Sequence, residues 1–600
     1  MPITHSTIHR TSRNNLRGHP LCENAVAQRR CSRNNRRGFS LVGYYGSATL
    51  MATLRRSHKR PYNKPTFTQH THQLLDYIES RPILPFRLSK ISKECLSKII
   101  QMIHHSSVHM PVYEVRDMSD KTMTEFMTTF EKTTESRLMP KSISQNIHTS
   151  EKIGRIVSAK MHGRTIQLYL ILPKSTKSSN HSRLFSSSKH ADSFFDTCAR
   201  RIMVWLDVVL RFSGKDCATT LDCYLFLTDD VKLLPKKSNI SASDLMFNGG
   251  EKITQNNANT AFTYACTPSA KIVLFRMEEW FKVFIHESFH CFGLDFSQMD
   301  ITESNKQMSK LFPKCQPTMD FRIYETYCET WAETINAAFI AYFEETTIRD
   351  THNNLRGQPL YGYSSNTYAP ASLRRSHRYT AISPERQRSV GLRGITGVPS
   401  NVIRKQKRTR KNFRGYSADR LLSNNLRGQP PGCAAGYSSN TFRKAYRVAS
   451  GVLHKLMNRI LKRVEYFIQR ERMFSLFQMT KILHHHQLTY ADLCSRVANG
   501  KPTHPPYTEE TQVFAYYIVK PVLMFYLNEF IEWCNTHNTE TSILVFSKTN
   551  EHIREYGELI ERLYMLPEFS KSQEQGIPGE GLSPKVADTL RMSLFEMETT

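Results

Sequence analysis

The chain has 600 residues, with 82 Lys and Arg against 53 Asp and Glu, a formal charge of +29. Its 39% hydrophobic and 10% aromatic content exclude a wholly disordered chain, and the length allows roughly two to four domains. No run of about 18 uncharged apolar residues occurs, so no membrane span is expected.

The N-terminus carries no apolar signal segment, which predicts an intracellular, non-secreted protein. Thirteen cysteines without a CxxC pair predict a reducing compartment and no disulfide framework. The positive charge is local. Residues 1–65 hold 13 Lys and Arg against Glu23, and residues 346–445 hold 19 against three acids, leaving a net of +1 on the other 435. The two segments share copies of one element: Asn34-Asn-Arg-Arg-Gly38, Asn353-Asn-Leu-Arg-Gly357 and Asn424-Asn-Leu-Arg-Gly428, with Leu-Arg-Arg-Ser-His at 54–58 and 373–377. Such polar, Gly-rich repeats have little to bury, which predicts two disordered, repeat-derived basic segments. The 346–445 insertion, through Arg404–Lys411, could bind nucleic acid without sequence preference.

Between and after them the chain reads as an N-terminal α/β region (66–192), a central region (193–345), a mostly helical C-terminal region (446–567) and a loose polar tail (568–600). Within 153–172, alternating apolar stretches around His162-Gly163 predict a β-hairpin. Helical spacing covers Ala191–Phe212, and Thr220–Thr228 reads as a strand. Ala261–Thr267 and Lys271–Arg276 read as two further strands separated by Pro268-Ser269. Helices are then predicted over Met277–Phe292, Tyr324–Phe343, Val448–Arg472, Val513–Cys534 and Ser542–Leu566.

The chemistry concentrates in His286-Glu-Ser-Phe-His290, inside one predicted helix and just after an apolar strand. Residues four apart share a helix face, so His286 and His290 can present two imidazoles to one zinc ion. Glu287, rotated by about 100°, points toward the water in the open position of that ion, where it can act as general base. Chance supplies an HExxH in roughly one of twenty chains of this composition, but a random match need not fall mid-helix behind a strand. Downstream, Glu325, Glu329 and Glu333 repeat at steps of four. Three like charges on one face repel unless a cation or other partner compensates them. His484-His485-His486 reads as a partly exposed cluster and Cys291 as a packing residue.

Strand, HExxH helix and a second helix with Glu-x-x-Ala-Glu resemble the gluzincin-type zincin metallopeptidases. Asn256–Phe343 resembles predicted metallopeptidases of large DNA viruses, and the resemblance implies host cytoplasm or virion. It also implies an α+β fold, a zincin-like catalytic domain with a small mixed sheet packed on the HExxH helix, and a helical part completing the cleft. In that family the first acid of the second motif is the third zinc ligand and the acid four residues later supports a histidine. Carried over, His286, His290 and Glu329 bind one zinc per chain, Glu333 is the supporting acid and Glu287 the general base. Glu325 is a possible substitute ligand. Tyr324 and Tyr327 are the nearest candidates for a donor to the oxyanion. The family's substrate-pairing edge strand would fall on Asn259–Thr267 or on Lys271, Ile272, Val273 and Leu274 of the following strand. The implied activity is hydrolysis of a peptide or protein substrate, as endopeptidase or aminopeptidase. The alternatives are a non-enzymatic zincin-like scaffold or virion protein, or a nucleic-acid binder acting through the basic segments.

Overall fold

A computed structural model describes residues 67–174, 188–235, 252–315, 318–355, 439–486, 511–539, 542–573 and 584–597, with positions 488, 492, 493, 509 and 582. The segment 1–65 and most of the 346–445 insertion lie outside the described residues. The described parts belong to one unit, Pro65–Thr600, of mixed α+β architecture.

A six-stranded mixed sheet organises the first half, in the order β1-β2-β3-β4-β6-β5. β1 (Tyr113–Asp117), β2 (Lys152–Met161) and β3 (Arg164–Pro173) run antiparallel to one another in that order. The predicted hairpin is β2–β3, and its two-residue turn is His162-Gly163, with φ of 50° and 78°. Two successive positive φ values match the right-handed twist of the flanking strands. β4 (Thr220–Phe226) and β6 (Ser269–Leu274) continue the sheet in parallel, and β5 (Ala261–Thr263) closes it antiparallel. The sheet therefore draws strands from both 66–192 and 193–345, and no structural break falls at 192.

Period-two alternation makes both faces of the sheet apolar. Leu168, Leu170, Leu221, Leu225, Ile272 and Leu274 belong to the main core, which also holds the helix Ser188–Val209 and the motif helix Trp280–Cys291. Ile171, Phe226 and Val273 face the other way. There Met123, Met127 and Phe130 of Asp120–Glu131, and Ile143 and Ile147 of Lys141–Thr149, cover them. These short helices, with Gln69–Glu79 and Lys90–Val108, were not resolved by the sequence pattern of 66–149.

The C-terminal half is helical, as the periodicity predicts. A helix spans Ser439–His485 and packs on the helix Ile323–Leu355, so helical structure enters both ends of the 346–445 segment. The stretch read as a single helix over 513–534 is broken into a π-helical turn, Ala515–Val519, then Lys520–Phe525 and Leu527–His537. Of Ser542–Leu566, only Asn550–Tyr564 is helical.

Two expectations are overturned. Residues 584–597 are not a loose tail: Leu590, Arg591, Ser593 and Leu594 are fully buried. Arg591 lies near Glu278 and Glu596, and Glu471 accepts from Ser593 Oγ at 2.6 Å and Leu594 N at 2.8 Å. The segment is polar because it is buried by ion pairing as well as by apolar packing. The second concerns cysteine. Cys217 and Cys266 form a disulfide with Cα atoms 4.5 Å apart. Parallel β4 and β6 begin side by side, which brings the loops before them together, and counting cysteines along a chain cannot see that. No helix among the described residues is long and apolar enough to cross a membrane.

Candidate metal centre

The motif helix is buried at every position from Trp280 to Cys291, so its rotation is fixed on all sides. Phe284, Ile285 and Phe289 face the core. Ser288, inside the motif, accepts a 2.8 Å hydrogen bond from Trp205 Nε1, and the Trp205 and Phe289 rings stack. With this back face locked, His286, Glu287 and His290 line a cleft of about 250 Å³.

The helix ends at a turn with direct consequences for the site. Gly293 has φ of 64°, its N–H donates to His290 O at 3.0 Å, and Leu294 N–H donates to Phe289 O at 2.8 Å. This is a Schellman ending, for which the left-handed position favours glycine. A Cβ there would also lie 3.1 Å from Cys266 Cβ. The turn reverses the chain and returns Asp295 to His290, with Oδ2 at 2.6 Å from Nδ1.

The helix Ile323–Leu355 faces the motif helix in antiparallel register, and each of its three acids is compensated. Glu325 Oε2 lies 3.1 Å from His286 Nε2 and 3.3 Å from His290 Nε2, and the two Nε2 atoms are 3.2 Å apart. Glu329 lies one turn on, with Oε2 at 2.9 Å from His286 Nδ1 and Oε1 at 2.6 Å from Lys282 Nζ. Glu333 pairs with Lys520 at 2.6 Å. All three carboxylates are buried.

The resemblance places the third ligand at Glu329, whereas this register sets Glu325 beside both histidines. Glu325 meets both Nε2 atoms, whereas Glu329 sits behind His286 and Glu333 lies outside the cluster. The physical reason is helix phase. Glu325 falls in the first turn of its helix, where unpaired N–H groups favour a carboxylate, and the antiparallel pairing sets that turn opposite His286 and His290. Of the two stretches that the resemblance offers for an edge strand, the second is not an edge. Lys271, Ile272, Val273 and Leu274 lie in β6, which is paired on both sides, and Lys271 Nζ binds Glu135 at 3.0 Å. Among the described residues the sheet edge beside the cleft is β5, and Ala261, Phe262 and Thr263 line the cavity.

The tyrosines separate as well. Tyr324 lines the cleft, its ring edge-on to His290. Tyr327 is fully buried elsewhere, donating to Leu544 O at 3.1 Å and accepting from Asn538 Nδ2 at 2.7 Å. Tyr516 occupies the place that sequence reasoning missed: its hydroxyl donates to Glu325 Oε2 at 2.8 Å. It lies in the π-helical turn beside Tyr517, which serves a different partner. Tyr517 donates to Leu590 O. π-helical turns of this kind recur at functional sites. Asp295 was also missed, although a Gly three residues after His290 and an acid two further on were visible. His484 and His485 end the long helix and do not line the cleft, and Cys291 is buried in the core.

The electrostatics follow from these contacts. Burial alone would raise the Glu325 carboxyl, but the His290 and His286 interactions outweigh it and hold it well below the usual carboxylate range. Burial opposes charge on His286, yet the Glu325 and Glu329 carboxylates beside its two ring nitrogens raise it to about 9. Burial pushes the Glu287 carboxyl above its ordinary value. Burial, reinforced by nearby carboxylates, pushes the Tyr516 phenol well up, so it remains a donor.

The donor set fits a metal ion. Ligands at about 2.0–2.1 Å in tetrahedral geometry stand roughly 3.3 Å apart, and the three donor atoms of His286, His290 and Glu325 are separated by 3.1 to 3.3 Å. The neighbouring group His290, Asp295 and Cys328 is different: its 2.6 Å separation is that of a hydrogen bond, too short for two ligands of one ion. Comparison with models of known protein families, with curated proteins and with solved structures finds no match for this chain.

Proposed function

We propose that the protein is a zinc-dependent metallopeptidase of gluzincin type, with His286, His290 and Glu325 as the protein ligands. The observation that carries this reading is the convergence of three donor atoms at tetrahedral spacing in a cleft that is also lined by β5, the edge strand of the sheet among the described residues. A bound zinc would supply a Lewis acid and lower the pKa of a coordinated water. The chain's own groups divide the remaining work. Asp295 bonds His290 Nδ1 and the Glu329 carboxylate stands 2.9 Å from His286 Nδ1, which leaves each Nε2 to act as ligand. Glu287 accepts the proton of the attacking water. The edge of β5 offers main-chain pairing to an extended peptide, which fixes its direction.

The test is elemental analysis of the purified chain after zinc loading, paired with hydrolysis of a peptide mixture with and without chelator. One zinc per chain and chelator-sensitive cleavage are expected. A folded protein that takes up no zinc would overturn the reading.

Tyr516 serves as the donor to the oxyanion, in place of Tyr324 or Tyr327. Tyr516→Phe should keep the metal and lower kcat by about 10²–10³-fold with little change in KM, the magnitude typical of one lost oxyanion donor. Steady-state kinetics decide this, and an unchanged kcat would return the role to Tyr324.

A further inference from the structure

The motif helix carries Lys282, His286 and His290 at steps of four, facing acids at the same spacing. Lysine is an unusual first member of such a series. It is almost fully buried, at 2% exposure, and it lines the cleft wall one turn before His286. Its Nζ binds Glu329 Oε1 at 2.6 Å while Glu329 Oε2 stands 2.9 Å from His286 Nδ1. Each oxygen of that carboxylate therefore has its own partner. Lys282 Nζ also lies 3.9 Å from Glu279 Oε1.

Glu279 is itself held from several sides. It begins the motif helix in a left-handed conformation, φ 58°, rare for a residue with a side chain. Its carboxylate pairs with Lys232 and accepts the backbone N–H groups of Met592, at 3.0 Å, and Ser593. Met592 lines the same cleft. A continuous series of contacts thus runs from the buried C-terminal segment through Glu279, Lys282 and Glu329 to His286.

We infer that Lys282 is a positioning residue for the metal centre, acting through Glu329 on His286 and anchored through Glu279 to the C-terminal segment. The inference rests on the metal site proposed above. By engaging Oε1, Lys282 stops the Glu329 carboxylate from rotating and fixes Oε2 against the imidazole. A carboxylate kept 2.9 Å from Nδ1 favours the ring orientation that presents Nε2 to the cluster, and loss of such a supporting contact commonly weakens metal binding about 10–100-fold.

A built-in control exists. Lys520–Glu333 is an ion pair of equal length and burial one turn further along the same acidic face, without contact to a histidine. Lys282→Met, Lys282→Arg and Lys520→Met would be made in the full chain and loaded with Co²⁺, whose visible absorption reports ligand geometry. Zinc affinity would be measured by competition with a chromophoric chelator. Lys282→Met is expected to lose about 10–100-fold in zinc affinity with an altered cobalt spectrum. Lys282→Arg should recover most of the affinity, and Lys520→Met should match wild type in both readouts. Wild-type affinity and spectrum in Lys282→Met, or an equal loss in Lys520→Met, would overturn the inference alone. Failure of the wild-type chain to bind either ion would overturn it together with the proposed function. Should Lys282→Met not fold, Lys282→Gln, which keeps a neutral donor near Glu329, is expected to show a weaker form of the same loss, and wild-type behaviour there would be equally decisive against.

Discussion

Glu287→Gln will retain the metal and lose hydrolysis. The substitution is nearly isosteric, and Glu287 is absent from the donor triad, so the mutual spacing of His286, His290 and Glu325 should survive it. What disappears is the only carboxylate of the motif helix that lines the cleft. A positioned base contributes about 10²–10⁴-fold to a proton-transfer step, or about 3–5 kcal/mol of barrier. Burial raises its carboxyl above the ordinary value. The check is kcat/KM on the best peptide found, with zinc content measured on the same sample. Cleavage at the wild-type rate by a zinc-loaded Glu287→Gln protein would rule out Glu287 as the base. Loss of both zinc and activity would show that Glu287 supports the ligands instead.

Much of this site was legible because local periodicity encodes it. The His-x-x-x-His spacing requires a helix to mean anything, and the apolar positions around it supply that helix. The β2–β3 hairpin was legible for the same reason, with alternation on both sides of His162-Gly163. Groups contributed over long range were not. Tyr516 reaches Glu325 across 191 positions, inside a stretch whose hydrophobicity reads as one helix although Pro521 and a π-helical turn divide it. Asp295 reaches His290 only because Gly293 reverses the chain. The segment 584–597 looked like solvent-exposed tail because Arg591, Ser593 and Glu596 are polar, yet each is matched by a buried partner distant in sequence. Composition counts charges and cannot show which of them are paired. The identity of the third ligand sits between these cases: the stripe Glu325, Glu329, Glu333 was visible, but its phase relative to the histidines depends on how two helices pack.

That phase gives the second large effect, a contrast between adjacent turns of one helix. Glu325→Gln should abolish stoichiometric zinc binding, whereas Glu329→Gln should only weaken it. Glu325 Oε2 is the atom within 3.1 and 3.3 Å of the two Nε2 nitrogens, and no amide oxygen replaces the negative charge that it brings to a dication. Glu329 touches the opposite nitrogen of His286, so its removal loosens a ligand without deleting one, at a cost of about 10–100-fold. Stability should move the other way. Glu329→Gln leaves Lys282 buried with Glu279 at 3.9 Å as its nearest remaining acid, and breaking a buried pair from one side costs about 3–5 kcal/mol. Glu325→Gln removes a charge whose ionisable partners are imidazoles able to release their protons, and its amide oxygen can still accept from Tyr516, which limits the penalty. Thermal unfolding of the metal-free proteins should therefore rank Glu329→Gln as the less stable, while chelator competition ranks Glu325→Gln as the weaker binder. If instead Glu329→Gln loses zinc outright and Glu325→Gln keeps it, the ligand assignment reverts to the one drawn from family resemblance, and the packing of the two helices in the loaded protein must differ by one turn.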